Sequence, residues 1–87
     1  MQLLEGRTFE KQFAKLPKST RTKVRERVHM LVTDSSHPLL NDHKLGPPYD
    51  GYRSINITGD WRLVYRRIDA HIIYLRAVGT HHQLYGS

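Results

Sequence analysis

Two turns near the end of the chain carry side chains that can do acid–base chemistry. Gly59-Asp60-Trp61 offers a carboxylate and an indole, and Gly79-Thr80-His81 offers an imidazole. If the strands beside these turns pair antiparallel, Asp60, Trp61 and His81 lie at one rim of a sheet. An imidazole ordinarily titrates near neutral pH, so it can serve as a general acid or a general base. Such a cluster suits metal-independent cleavage of RNA, in which the substrate's own 2′-hydroxyl attacks the neighbouring phosphate.

Positive charge and aromatic rings near this rim fit the same substrate. Arg53, Arg62 and Arg76 are candidates to contact phosphate. An indole or tyrosine ring can stack on an unpaired base, which stabilises binding by roughly 1–3 kcal/mol per base. The whole chain has fourteen Lys and Arg against eight Asp and Glu, a formal charge of +6 that favours a polyanionic partner.

Each of these residues also has an ordinary structural interpretation. Asp60 is typical of a turn, Trp61 of a packed core and His81 of a surface position after a strand. Their combination at one rim, and not any one of them, is what favours a site.

The sequence gives little support for a metal or a cofactor. There is no cysteine, which excludes disulfides and thiolate ligands and fits a cytoplasmic location. His37, His43, His81 and His82 lack the helical i, i+4 spacing of a zinc site. No apolar run is long enough for a leader or a membrane span. We therefore expect no cofactor, no metal and no membrane partner.

The first third of the chain predicts one strand and two helices. Residues 2–6 favour a short edge strand, and Thr8 is predicted to cap a first helix that ends at Pro17. A second, amphipathic helix is predicted from Lys18 to about Thr33, with a strongly basic outer face. The apolar stripes of the two helices are Phe9, Phe13 and Leu16, and then Val24, Val28, Leu31 and Val32.

The last third predicts a three-stranded meander after a loop over residues 34–51. The strands are Tyr52–Thr58, Trp61–Ile68 and His71–Val78, joined by two-residue turns. Tight turns would pair Thr58 with Trp61 and Asn56 with Leu63. The face expected to receive the helices holds Ile55, Ile57, Val64, Ile68, Ile73, Leu75 and Ala77. The other face, a candidate binding surface, holds Tyr52, Asn56, Trp61, Leu63, Tyr65, Tyr74, Arg76 and Val78.

Four segments resemble the YafQ-like toxins of the RelE/ParE superfamily, and the resemblance extends over nearly the whole chain. They are Asp42–Leu45, Gly51–Ile57, Gly59–Tyr65 and Gly79–Gly86. The resemblance implies a single α+β domain over residues 1–87. In it, a short N-terminal strand precedes two helices, which pack on one face of an antiparallel sheet that ends in the meander, and a short tail follows. It also implies that the loop bearing His43 folds back over the rim that carries His81.

The implied function is that of a toxin of a type II toxin–antitoxin system, a ribosome-dependent endoribonuclease that cleaves messenger RNA in the decoding site. Its implied partners are a cognate antitoxin, the ribosome and messenger RNA, with operator DNA contacted only through the antitoxin. The resemblance carries five catalytic positions over to this chain: His43, Asp60, Trp61, His81 and Tyr85. The expected RNA-contacting residues are Lys44, Arg53, Asn56, Arg62 and Arg76.

In this interpretation His43 and His81 share the roles of general acid and general base, and Asp60 orients a histidine. Trp61 and Tyr85 position the RNA base. One position departs from the pattern, because YafQ has a histidine four residues before the hairpin aspartate and this chain has Asn56. An amide hydrogen-bonds but does not exchange a proton near neutral pH. Asn56 therefore leaves open a non-catalytic regulator that acts bound to its antitoxin. A second alternative is a ParE-like inhibitor of DNA gyrase, a toxin of the same fold, against which the Gly79-Thr80-His81 and Asp60-Trp61 segments argue.

Overall fold

A computed structural model describes residues 1–86 and shows an α+β fold with a five-stranded mixed sheet. The strands are β1 Gln2–Glu5, β2 His43–Lys44, β3 Arg53–Thr58, β4 Trp61–Asp69 and β5 Ile72–Thr80. The helices are α1 Arg7–Ala14, α2 Lys18–Thr33 and α3 His81–Tyr85, with one 3₁₀ turn at Pro38–Leu40. The strand order is β1-β5-β4-β3-β2, and β1 runs parallel to β5 while the other pairs are antiparallel.

Helices α1 and α2 pack on one face of the sheet, as their apolar stripes predict. Phe9 and Phe13 stack at 5.6 Å between ring centroids, and Val24, Val28 and Leu31 of α2 are buried. We call this cluster the helical core; its sheet residues are Ile55, Ile57, Leu63, Tyr65, Ile73, Leu75 and Val78. No helix of residues 1–86 is both long and apolar enough to cross a membrane.

The opposite face of the sheet, which we call the open face, has a small cluster of its own. Val64, Ala77 and Leu84 are its buried members, and Leu45, Tyr49, Tyr52 and Tyr85 pack against them. The tyrosines are only partly buried, so this face combines a packed floor with accessible aromatic rings.

The boundaries of several elements differ from the prediction. Gly6, not Thr8, lies at the start of α1. The loop over residues 34–51 contains a 3₁₀ turn and the short strand β2, which the prediction missed because a two-residue strand has no readable period. The predicted tail is helix α3, and the sheet is mixed because β1 joins it in parallel. The prediction of α2 over Lys18–Thr33 is confirmed.

Irregular pairing explains why part of the predicted face assignment is wrong. Thr58 pairs with Trp61 as predicted, but Asn56 pairs with Arg62 and not with Leu63, because Ile57 is an extra residue in β3. A second irregularity leaves Arg76 as the extra residue in β5. Because side chains alternate with period two, one extra residue moves the following side chains to the other face.

The consequences fall mainly on β4. Val64 and Ala77, which were predicted to face the helices, lie on the open face. Leu63, Tyr65 and Val78, which were predicted for the binding face, lie in the helical core. Trp61 also packs against the helical core, and the predicted core residue Ile68 is 45% exposed.

Candidate active site

A cleft of about 420 Å³ opens on the open face of the sheet. Three distant segments contribute its imidazole and guanidinium side chains: His43 from β2, Arg62 from β4 and His81 from α3. Tyr85 and Ser54 line it as well, and residues 45–49 form one wall. The structure thus brings two imidazoles and a guanidinium into one concave site.

His43 is oriented by a local hydrogen bond. Its Nδ1 lies 2.8 Å from the carbonyl oxygen of Asn41. A carbonyl oxygen only accepts, so Nδ1 is the donor and carries the proton. In the neutral ring Nε2 is then the unprotonated nitrogen, which is the form that a general base requires.

The residue before His43 fixes the position of β2. Asp42 accepts a hydrogen bond from Arg53 Nε at 2.9 Å and another from the hydroxyl of Tyr65. The hydrogen bond to the Asp42 carboxylate raises the pKa of Arg53 above its usual range. Burial, followed by the hydrogen bond to Asp42, raises the pKa of Tyr65 to about 12. Asn41, with a φ of 45°, makes the left-handed bend that turns the chain into this contact.

Arg62 is held at the mouth of the β3–β4 hairpin. Its Nη1 donates to the carbonyl oxygens of Gly59 at 2.8 Å and Trp61 at 3.0 Å. Within residues 1–86 these are its only hydrogen bonds, so Nε and Nη2 remain as donors for a bound anion. A guanidinium fixed in this way suits a phosphate group.

Helix α3 is short and depends on its cap. The Thr80 hydroxyl accepts from the Gln83 amide at 3.1 Å, and the Gln83 side chain accepts from the Thr80 amide at 2.9 Å. This capping box satisfies two amide donors that the first turn leaves unpaired. It places His81 and Tyr85 one helical turn apart, with ring centroids 4.7 Å from each other.

Tyr85 links α3 to the floor of the cleft. Its hydroxyl donates to Ser54 Oγ at 3.0 Å, and Ser54 is fully buried. Its ring also meets that of Tyr49 edge to face at 5.9 Å. Tyr85 therefore has a fixed orientation beside His81.

Asp60 and Trp61 are adjacent to His81 in the backbone but do not line the cleft. The Asp60 carbonyl oxygen accepts the His81 amide at 3.0 Å, while the Asp60 side chain is exposed in the turn. Trp61 pairs with Thr80 and points to the helix side, into a groove with Leu16. The structure brings His43, His81 and Tyr85 together, and it leaves the indole on the other face of the sheet.

The remaining sequence candidates surround the cleft. Lys44 and Arg53 line a neighbouring groove, and the Arg76 guanidinium lies 5.8 Å from the ring centroid of Tyr49. Asn56 lies beside Arg62 as its pairing partner, and its Oδ1 is buried with no hydrogen-bond partner among residues 1–86. Lys44 and Arg53 are thus placed at the side of the cleft and not inside it.

Sequence reasoning missed Asp42, Ser54 and Tyr49 as parts of the site. Asp42 and Ser54 lie inside segments that carry the family resemblance, which was the only signal for them. Tyr49 follows two prolines in a loop without periodicity, so no pattern placed it. Among residues 1–86 no three His, Cys, Asp or Glu side chains are grouped to hold a metal ion.

The fold is similar to that of solved bacterial toxins. YafQ from E. coli strain BL21(DE3) superposes with a TM-score of 0.81 at 22% identity, covering 97% of each chain. YafQ in the E. coli DinJ-YafQ toxin-antitoxin complex gives 0.79 at 22% identity, covering 97% of this chain and 96% of that one. A YoeB/ParE toxin from Agrobacterium tumefaciens gives 0.77 at 18% identity, covering 93% and 99%. No sequence among curated proteins matches significantly.

The sequence itself gives the family. Residues 1–86 match the family described as the bacterial toxin of a type II toxin-antitoxin system, YafQ. The match spans the strand, helices and meander described above, together with the cleft between β2 and α3. The chain therefore belongs to the YafQ family of bacterial type II toxin–antitoxin toxins.

Proposed function

We propose that this toxin is a ribosome-dependent endoribonuclease that cleaves messenger RNA in the decoding site without a metal ion. The observation that carries the proposal is the cleft in which His43, Arg62 and His81 converge. Attack of the substrate's own 2′-hydroxyl on the adjacent phosphate needs a general base, a general acid and a positive charge near the phosphate. Two imidazoles and one guanidinium can supply these three functions.

In this mechanism His43 is the general base. Its Nε2 removes the proton of the 2′-hydroxyl, and the oxygen forms a bond to the adjacent phosphorus. The bond from phosphorus to the 5′-oxygen breaks, and protonated His81 donates a proton to that oxygen. The products are a 2′,3′-cyclic phosphate and a 5′-hydroxyl. Arg62 stabilises the negative charge that builds on the non-bridging oxygens.

The other candidate residues position these groups. Tyr85 offers a ring beside His81 on which a base can stack, in keeping with its contact at 4.7 Å. Asp60 holds the start of α3 through its carbonyl oxygen, which accepts the His81 amide. Trp61 contributes by anchoring the hairpin to the helical core, which keeps Arg62 in place on the opposite face.

The proposal includes a cognate antitoxin as partner. The similar E. coli chain was solved in the DinJ-YafQ toxin-antitoxin complex, and this supports a corresponding complex here. Ribosomes and messenger RNA are the proposed targets, so the proposed site of action is the cytoplasm. Contact with operator DNA is proposed only through the antitoxin.

The test is to map RNA ends in a cell-free translation reaction given the purified toxin. Cuts are expected only on ribosome-bound messenger RNA and to leave a 2′,3′-cyclic phosphate. His43→Gln and His81→Gln should each slow cutting by roughly 100- to 10,000-fold. His71→Gln is the matched control, because His71 is exposed in the β4–β5 turn and outside the cleft.

Two results would reject the proposal. Uncut RNA together with inhibited gyrase supercoiling would favour the ParE-like alternative. Uncut RNA together with normal growth of cells that express the chain alone would favour a non-catalytic regulator, the alternative based on Asn56.

A further inference from the structure

A second groove, about 410 Å³ in volume, lies beside the cleft and shares Leu45 with it. Four of its seven lining residues are cationic and none is acidic: Lys44, Arg53, Arg66 and Arg67. The remaining three are Leu45, Gly51 and Tyr52. Neither Arg66 nor Arg67 was identified from the sequence as a contact residue.

The charge in this groove is largely uncompensated. Within the described residues the ion pairs are Lys23–Glu26 and Arg53–Asp42. Lys44, Arg66 and Arg67 therefore have no carboxylate partner there. Like charges that are kept close together without counter-charges favour a polyanion as ligand.

A continuous row of rings connects the groove to the cleft. Tyr52 meets Tyr49 at 6.4 Å, Tyr49 meets Tyr85 at 5.9 Å, and Tyr85 meets His81 at 4.7 Å between centroids. The guanidinium of Arg66 lies 5.3 Å from the Tyr52 centroid, and Arg76 lies in the same way near Tyr49. Rings that alternate with guanidinium groups are the arrangement that binds unpaired bases and their phosphates together.

The spacing along β4 matches this row. Arg62, Val64 and Arg66 point to the open face in succession, because the irregularity between Val64 and Tyr65 leaves its extra residue, Arg76, in the partner strand. Four residues of strand separate Arg62 from Arg66, which is about 13 Å. A nucleic-acid strand with a phosphate at Arg62 therefore reaches Arg66 within a few nucleotides.

We propose that the groove formed by Lys44, Tyr52, Arg66 and Arg67 is a second RNA subsite, which binds nucleotides that flank the cleavage position on the same single strand. The subsite rests on the proposed RNA-cleaving function, since it takes the strand that occupies the cleft. Arg66 contacts a phosphate on the open face, Arg67 adds positive charge at the edge of the groove, and Tyr52 stacks on a base.

The test is binding of fluorescent single-stranded oligonucleotides with 2′-O-methyl riboses, which cannot be cleaved. At low salt an octanucleotide should bind more tightly than a trinucleotide. Arg66→Ala with Arg67→Ala should remove most of that difference and leave trinucleotide binding unchanged. The slope of log affinity against log salt for the octanucleotide should fall by roughly 0.7, the change for one lost phosphate contact.

The matched control removes the same charge from another surface. Arg7 and Arg25 are exposed on α1 and α2, so Arg7→Ala with Arg25→Ala should leave the length dependence intact. Tyr52→Leu should weaken octanucleotide binding about 5- to 140-fold without changing the salt slope. Thermal unfolding of each variant shows whether the fold is kept.

The subsite is rejected if the two double variants behave alike, if both oligonucleotides bind equally, or if the octanucleotide does not bind at low salt. Because the oligonucleotides are not cleaved, the result is independent of the nuclease assay. Length-dependent binding by a toxin that cuts no RNA would reject the cleavage chemistry alone. Cleavage without length-dependent binding would reject the second subsite alone.

Discussion

The carboxylate of Asp42 accepts a hydrogen bond from the hydroxyl of Tyr65, which lies in the helical core with no exposed surface. Asp42 directly precedes His43, so this contact ties the strand that carries the proposed base to the most buried part of the sheet. The second oxygen of the carboxylate is bound by Arg53. Two hydrogen bonds to one carboxylate restrict the position of Asp42, and with it that of His43, more than a single hydrogen bond would.

Replacing Tyr65 by Phe is expected to lower the free energy of unfolding by about 1.5–3 kcal/mol, the range for a hydrogen bond to a charged group. The ring stays, so packing in the helical core is kept. Urea unfolding followed by circular dichroism measures the change. Tyr74→Phe on β5 is the matched control, since the Tyr74 hydroxyl makes no hydrogen bond among residues 1–86. An equal loss of free energy of unfolding in both variants would contradict a stabilising Tyr65–Asp42 hydrogen bond.

The same tyrosine makes stability depend on pH. Its pKa is raised from 10.0 to about 12 by burial and by the hydrogen bond to Asp42. The unfolded chain therefore releases this proton at lower pH than the folded chain does. The contribution of Tyr65 to stability is complete below pH 10 and is lost as the pH rises toward about 12.

Urea unfolding of the parent chain and of Tyr65→Phe at pH values across that window measures this effect. The free energy of unfolding of the parent should exceed that of the variant at neutral pH, and this difference should shrink progressively as the pH rises. A difference in the free energy of unfolding that stays constant from pH 10 to about 12 would show that Tyr65 is not the titrating group.

Asn56→His is expected to speed RNA cleavage. Asn56 lies beside Arg62 on the open face, at the position where the YafQ pattern has a histidine, and its buried Oδ1 has no partner among the described residues. A proton-exchanging group there should raise the cleavage rate by roughly 100-fold, which is the lower end of the range for acid–base catalysis. The cell-free cleavage assay measures it, with Asn56→Gln as a control that cannot exchange a proton. Equal rates for the two variants would mean that the position takes no part in proton transfer.

Thr80→Ala should clearly lower the rate of RNA cleavage while it lowers the melting temperature of the whole protein only slightly. The substitution removes the capping box of α3 and costs about 1 kcal/mol, and α3 is the element that carries His81 and Tyr85. The melting temperature and the cleavage rate are measured on the same preparation. Thr80→Ser, which keeps the hydroxyl, should restore cleavage; a serine variant as slow as the alanine variant would exclude the cap as the cause.

The sequence was sufficient to predict the regular parts of the fold. Helix α2 and the meander were predictable because each repeats its own period over many residues, and the antiparallel topology then placed the His81 backbone next to Asp60. Trp61 was assigned to the wrong face because the extra residue Ile57 in β3 changes the register, and nothing in the local composition signals such a bulge.

The position of His43 was outside the reach of pattern reasoning. It depends on a two-residue strand and on contacts between Asp42 and residues eleven and twenty-three positions later. Contacts of that kind are tertiary, and only the family resemblance indicated where this loop lies. Helix α3 was missed for a related reason, because five residues are too few to show a helical stripe.

Strand β2 is two residues long and lies at the edge of the sheet, where β3 is its only pairing partner within residues 1–86. Few ladder bonds hold such a strand, so it opens at a lower free energy than the strands at the centre. It follows that the strand that carries His43, the proposed general base, can open while the helical core stays folded. Loss of the proposed activity and loss of the folded core are then separable events in this molecule.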